Sequence, residues 1–170
     1  CYELKDQAIE KVRVGIIGLG NRGSVLIQMF DYLIKNNLAE IVALSDLNEN
    51  SIDKNVNYLK KIQKRKPYIY SDNINSWKKL VKRDDIDLII IATPWDTHTE
   101  MCIYSMENDK HVACEVPIAT SVEDCWKIVE VAEKVHVSAS IFLITLIILH
   151  ILAVLYHHIF LKDPILKKIS

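Results

Sequence analysis

Four short runs of Val and Ile punctuate the first two thirds of the chain. They are Val12 to Ile17, Ile41 to Ser45, Ile86 to Ala92 and His111 to Cys114. Each is nearly continuous in apolar residues rather than alternating, which is how a strand reads when both faces of its sheet are covered. Each ends on a breaker or a polar cluster: Gly18, Asp46, Thr93-Pro94 and Glu115-Val116-Pro117.

Between the runs the apolar positions recur with helical spacing. Val25, Leu26, Met29, Phe30, Leu33 and Ile34 predict one amphipathic helix. Ile52, Val56, Leu59 and Ile62 predict another with a thinner apolar face, as at a sheet margin. Trp77, Leu80 and Val81 mark a short helix, and His98, Met101, Cys102, Ser105 and Met106 a further one. Thr120-Ser-Val-Glu123 reads as a capping box opening a helix with Val122, Cys125, Trp126, Val129 and Ala132 on one face. Strands alternating with helices imply right-handed βαβ units. The expected fold is therefore α/β, a doubly wound parallel sheet of Rossmann type, over residues 10–137.

The first strand runs into Gly18-Leu-Gly20-Asn-Arg-Gly23, a GxGxxG pattern that also opens a helix. The second strand ends on Asp46. This is the context in which the pattern binds a dinucleotide. Gly18 would permit the tight turn, Gly20 the approach of a pyrophosphate to the backbone, and Gly23 close packing of helix on strand. The helix N-terminus offers unpaired N–H groups to the phosphates. Asp46 stands where a carboxylate accepts hydrogen bonds from a ribose diol and repels a 2′-phosphate, which favours NAD over NADP. The competing reading makes these turn glycines and Asp46 a helix cap. Yet the chain has only four glycines, and three occupy fingerprint positions.

Ligands of open α/β sheets bind beyond the carboxyl ends of the strands. Thr93-Pro94-Trp95-Asp96-Thr97-His98 and Glu115-Val116-Pro117 both lie there. Pro94 cannot continue a ladder and so turns the chain across that cleft. Trp95 is either a packing surface for the dinucleotide or a packed loop aromatic. His98 is either a cleft residue or simply part of a first helical turn.

Composition narrows the possible partners. The 170 residues carry a net charge of -1, with a quarter of them charged and half apolar. No basic excess suggests nucleic acid. Cys1, Cys102, Cys114 and Cys125 form no CxxC pair, so neither a disulfide framework nor a zinc site is expected, and reduced thiols suit a cytoplasmic protein. A chain opening on Cys1 rather than Met reads as a fragment or a processed chain. Its first ten residues are too charged for a signal peptide.

Taken together, strand-GLGNRG, a second strand ending in Asp, Ala-Thr-Pro-x-x-x-His and a strand ending Glu-x-Pro resemble the glucose–fructose oxidoreductase/inositol dehydrogenase/MocA family. The stretches Asp84 to His98 and Lys110 to Pro117, with Cys125-Trp126 following, are similar to one branch. That branch is the NAD-dependent α-N-acetylgalactosaminidases of glycoside hydrolase family 109. The resemblance covers roughly residues 12 to 136. Oxidoreductase branches usually carry lysine between the Glu and Pro of the fourth strand. Val116 follows the glycosidase branch and weighs against net dehydrogenation. The resemblance implies a bound NAD that is not consumed: the sugar is oxidised transiently at C3, the C2 proton is acidified, and the glycosidic bond breaks by elimination. Water then adds and the hydride returns. Such enzymes stand outside the two-carboxylate scheme. By position the resemblance makes Asn21, Arg22, Asp46, Trp95, Asp96, Thr97, His98, Glu115 and Val116 cofactor contacts. They join Gly18, Gly20, Gly23 and Thr93 in the candidate NAD set. No catalytic residue and no metal ligand is assigned.

From Ser138 to Leu161 the chain has no charged residue. Residues 138–170 are expected to form a divergent hydrophobic segment, the truncated start of a second domain. The resemblance implies a Leu-Glu-Asn motif and then a tyrosine here, but Leu143, Ile144 and Ile147 stand at the Glu, Asn and Tyr positions. Three readings of the stretch remain open: about 24 apolar residues that span a bilayer, a strand and helix of a soluble protein, or a decayed or frame-shifted continuation. His150, His157 and His158 lack neighbouring carboxylates or thiols for a metal site. The expected functions follow in order. The first is an NAD-binding domain of a glycosidase-like member, with an amino sugar as substrate of the full-length protein. The second is an inactive remnant that only binds nucleotide. The third is a nucleotide-binding module tethered to a membrane through 138–161.

Overall fold

A computed structural model describes residues 11–135 of the chain. The contacts group residues 4–132 into one compact unit; the other unit, 1–3 and 133–170, lies outside the described residues except for 133–135. The first unit is built in the order β1 (Val12–Ile17), α1 (Asn21–Met29), α2 (Asp31–Lys35), β2 (Ala39–Ser45), α3 (Glu49–Leu59), β3 (Tyr68–Tyr70), α4 (Ser76–Val81), β4 (Leu88–Ile91), α5 (His98–Glu107) and β5 (His111–Cys114). A single 3₁₀ turn, Trp95–Thr97, precedes α5, and residues 122–135 are helical. The five strands form one sheet, ordered β3-β2-β1-β4-β5, and every pairing is parallel. This is the expected doubly wound Rossmann arrangement, with the order reversing between β1 and β4.

The strands read as continuous apolar runs because each face of the sheet has its own core. On one face Val14, Ile16, Ile41, Leu44 and Ile90 meet Leu19 of the glycine loop and Ile27, Ile34, Ile52, Val56 and Leu59 from α1 to α3. On the other, Ile17, Val42, Ala43, Ile89 and Ile91 meet Trp77, Leu80, Val81, Met101 and Cys102 from α4 and α5. A bulge between Val14 and Gly15 shifts the β1–β2 register past Val42. That shift lets Val42 and Ala43, neighbours in sequence, share one core.

Three sequence expectations change. The single helix expected from Val25 to Ile34 breaks at Phe30 into α1 and α2, and its inward row differs. Val25, Met29 and Leu33 are exposed, while Gly23, Ser24 and Ile27 face the sheet. Apolar residues surround this helix, so spacing alone did not select the stripe, and the close contact at Gly23 does. Strand β3 was not expected. Its three residues sit half exposed on the sheet edge, where Tyr68 lies under the Arg83 guanidinium at 3.9 Å. The last helix is capped by Ser121, not Thr120: the Asp124 N–H donates to Ser121 Oγ at 3.1 Å. Its expected apolar positions, Val122, Cys125, Trp126 and Val129, are exposed, because among the described residues no strand lies beyond β5 for them to cover.

At the N-terminal ends of the strands, Arg13 makes a paired contact with Asp87 (Nη2 to Oδ1, 2.6 Å), and Arg83 and Arg65 converge on Asp85. These cations hold the Asp87 carboxyl below its ordinary range and the Asp85 carboxyl down to about 2. The hydrophobic segment expected over 138–161, and with it Ile144 and the three histidines, lies outside the described residues. Among the described residues no helix is long and apolar enough to cross a membrane.

Candidate functional site

Where the strand order reverses, the chain leaves β1 and β4 in opposite directions and a crevice opens between the two exits. Gly18 forms its floor. It adopts φ +90°, and a Cβ there would sit 2.6 Å from the backbone carbon and oxygen of Ala92. Its N–H donates to Ser45 O at 2.9 Å, tying the exits of β1 and β2 together. Gly23 lies against the same turn: a Cβ would come within 2.0 Å of Gly18 O. Gly20 differs from both. A Cβ there would meet nothing within 4 Å, and Gly20 lines the cavity. Two of the glycines are thus demanded by packing, and the third leaves the backbone bare toward empty space.

That space is a cavity of about 630 Å³, within the range of cofactor sites. Six of the sequence candidates line it: Gly18, Gly20, Asp46, Thr93, Asp96 and Thr97. α1 points its N-terminus toward this loop, with no side-chain cap and no acidic residue in its first turn. Its first N–H groups and the positive end of its dipole are therefore left for an anion.

The Asp46 carboxylate accepts from the Leu19 N–H through Oδ2 and from the Asn48 N–H through Oδ1 at 2.7 Å. Those bonds fix its orientation, and a carboxylate with four lone-pair directions keeps two for a diol. The helix cap lies two residues on, where Asn48 accepts from the Ser51 N–H at 3.2 Å.

The loop after β4 is held from within. Thr97 Oγ1 donates to Pro94 O at 2.7 Å and lies 2.7 Å from Thr93 Oγ1. Trp95 is 63% exposed and, with Pro94, Asp96 and Thr120, lines a second depression of about 440 Å³. His98 does not line either space. It is completely buried, and its ring nitrogens lie 2.8 Å from Thr93 O and Pro117 O. It pins the loop after β4 to the loop after β5, so its reach to a ligand is through those two loops. Arg22 and Glu115 meet each other: Arg22 Nε donates to Glu115 Oε1 at 2.7 Å, joining the glycine loop to the end of β5. Asn21, the first residue of α1, is exposed, and Val116 is 79% exposed.

Sequence reading missed the residues that brace this arrangement. Asn55 of α3 is buried; its Nδ2 lies 3.0 Å from Ser24 Oγ and 2.8 Å from Ser51 O, and Ser24 Oγ donates to Leu19 O at 3.1 Å. A polar residue between Ile52 and Val56 on the apolar face of a helix was the available signal. Leu47 and Ile74 were also missed. Both line the cavity yet are mostly exposed, an apolar pair with no core to join.

Residues 12–142 match the model of an oxidoreductase family with an NAD-binding Rossmann fold. Among curated relatives, the chain is 41% identical over 126 residues to an alpha-N-acetylgalactosaminidase of Shewanella oneidensis, covering 74% of this chain and 27% of that protein. It is 45% identical over 123 residues to an alpha-N-acetylgalactosaminidase of Bacteroides fragilis, covering 72% and 28%. The chain thus spans little more than a quarter of the curated relatives it matches. Among solved structures, the WlbA dehydrogenase of Chromobacterium violaceum, in complex with NADH and UDP-GlcNAcA, superposes with a TM-score of 0.64 at 21% identity, over 76% of this chain and 34% of that one.

Proposed function

The chain belongs to this oxidoreductase family with the NAD-binding Rossmann fold, and from that premise we propose how its cavity seats the cofactor. The pyrophosphate lies over Gly20 and against the N-terminus of α1, with Asn21 and Arg22 at its side. The adenosine ribose meets the two free lone-pair directions of Asp46, and Leu47 and Ile74 flank the adenine. The nicotinamide half lies toward Thr93, Trp95, Asp96 and Thr97, with Glu115 and Val116 on the side of β5. His98 holds that half in place through Thr93 and Pro117. The observation that carries this reading is the bare Gly20 backbone on the cavity wall, with a pre-oriented Asp46 bonded to the N–H of the preceding residue, Leu19. NAD supplies a reversible hydride acceptor, and the protein's part is to bind and orient it.

We further propose that residues 10–137 are the NAD-binding domain and 138–170 the divergent start of a second. In the whole protein, which acts in the cytoplasm, the substrate is an N-acetylgalactosaminide, oxidised transiently at C3 and cleaved by elimination. Val116 and the 41% and 45% identities to the two galactosaminidases support that branch. The second reading is nucleotide binding without turnover, for which the described cavity and its pre-oriented Asp46 suffice. Calorimetric titration with NAD and NADP tests the cofactor claim: saturable NAD binding with weaker NADP is expected. Release of p-nitrophenol from its α-N-acetylgalactosaminide separates the two functions. No turnover is expected from this chain alone, and turnover from a chain that also carries the second domain.

A further inference from the structure

The hydroxyls at the β4 end of the cavity form a chain whose direction is fixed. Thr97 Oγ1 lies 2.7 Å from Pro94 O. A carbonyl oxygen only accepts, so the Thr97 hydroxyl hydrogen is committed to it. Thr93 Oγ1 lies 2.7 Å from the same Thr97 oxygen. With the Thr97 hydrogen engaged, that contact is a hydrogen bond only if Thr93 donates. The other acceptor in reach of Thr93 Oγ1 is the Met101 thioether at 3.5 Å, a weak one. Either way the Thr93 hydrogen turns into the protein and the oxygen keeps its lone pairs. His98 holds the same residue from behind, through Thr93 O at 2.8 Å. Asp96 lines the cavity with Thr93, and among the described residues no lysine or arginine does. An ionised carboxylate also only accepts. Resting on the cofactor arrangement proposed above, we propose that Thr93 is a specificity residue for the dinucleotide. Its oxygen accepts from the carboxamide N–H of the nicotinamide, and the cavity thereby takes the amide form and discriminates against the acid form, whose pyridine carries a carboxylate.

The discrimination follows from the donor and acceptor inventory. A carboxamide brings two N–H donors to a wall of acceptors. A carboxylate brings acceptors alone, so lone pairs would face lone pairs at Thr93. Its charge would also meet that of Asp96, with no lining side-chain cation to offset it. The two dinucleotides share adenosine, pyrophosphate and the second ribose, so every other contact is common to both. A site that hydrogen-bonds one group of its ligand rejects the analogue that leaves the site's own polar atom unpaired. The Thr97 hydroxyl acts through Thr93: by accepting the Thr93 hydrogen, it keeps that hydroxyl from rotating to donate to a carboxylate.

The test titrates the full chain by calorimetry with NAD, with nicotinic acid adenine dinucleotide and with ADP-ribose, which lacks the pyridine. NAD is expected to bind about tenfold or more tighter than the acid form, the size of one hydrogen bond. Thr93→Val keeps the side-chain shape and removes the acceptor. It should lose most of that ratio while binding ADP-ribose like the parent. Asp96→Asn removes the repelling charge from an exposed position and should narrow the ratio by strengthening the acid form. It carries the test if Thr93→Val does not fold. Equal affinity of the parent for the amide and acid forms, or a ratio unchanged in the folded variant, would overturn the proposal. Equal affinities alongside ADP-ribose binding overturn this inference alone, whereas no binding of any of the three overturns the cofactor arrangement with it.

Discussion

Gly20 and Gly23 look alike in sequence, but the structure predicts opposite consequences for adding one methyl group. At Gly23 the new Cβ would lie 2.0 Å from Gly18 O and 2.9 Å from Gly18 C. Backbone must move to accept it, and overpacking of that kind costs about 1–3 kcal/mol. Gly23→Ala should therefore lose stability whether or not NAD is present. At Gly20 the Cβ meets nothing, and its φ of -60° suits alanine. Restricting the unfolded chain gains about 0.4–1 kcal/mol, offset by the poorer helix cap that alanine makes, ~1 kcal/mol. The melting temperature should stay within about 4 °C of the parent. Affinity should behave differently. A methyl on the cavity wall holds a phosphate off the α1 N–H groups, and losing one such charge-assisted bond costs about 1.5–3 kcal/mol. That is about 10- to 150-fold in Kd. Thermal unfolding and calorimetric NAD titration of both variants separate the effects. A Gly20→Ala protein that binds NAD like the parent would refute the assignment of that wall to the pyrophosphate.

Asp46→Ala should weaken NAD by about 1–3 kcal/mol through its lost ribose bonds and narrow the preference over NADP; paired titrations check both, and unchanged ratios would leave Asp46 a loop clamp only. His98→Ala removes the completely buried ring that joins Thr93 O to Pro117 O, at about 1–3 kcal/mol for the lost hydrogen bonding, so its urea midpoint should fall below the parent's. The Asp85 pKa is depressed from an ordinary 3.8 to about 2 by Arg83 and Arg65, so its contribution is present above pH 3.8 and lost as the pH falls toward 2. Asp85→Asn should thus be less stable at pH 7 and converge with the parent near pH 2 in acid-unfolding curves. Curves that stay parallel to that pH would contradict the pairing.

The fold was legible wherever burial was two-sided. β1, β2 and β4 announce themselves as Val and Ile runs because helices cover both faces of the sheet there, whereas the shorter run of β5 leaves His111 and Ala113 exposed. β3 does not, because a three-residue edge strand anchored by Tyr68 on Arg83 leaves no apolar run to read. The face of α1 was misjudged for the reverse reason: with apolar residues nearly all round, the stripe is chosen by the contact of Gly23 with Gly18. In the site, GxGxxG and Asp46 carry their own spacing signal. Asn55 supports them from another helix through Ser24, and no local pattern connects residues 31 apart. His98 stands in a recognisable motif, yet its place behind the loops, bonded to carbonyls of residues 93 and 117, is a tertiary fact.

The most direct measurement of the account is the binding isotherm of this chain with NAD. A single saturable site is expected, weaker for NADP, and weakened about 10- to 150-fold in Gly20→Ala while the fold survives. Absence of saturable binding at millimolar NAD in a folded sample would contradict it.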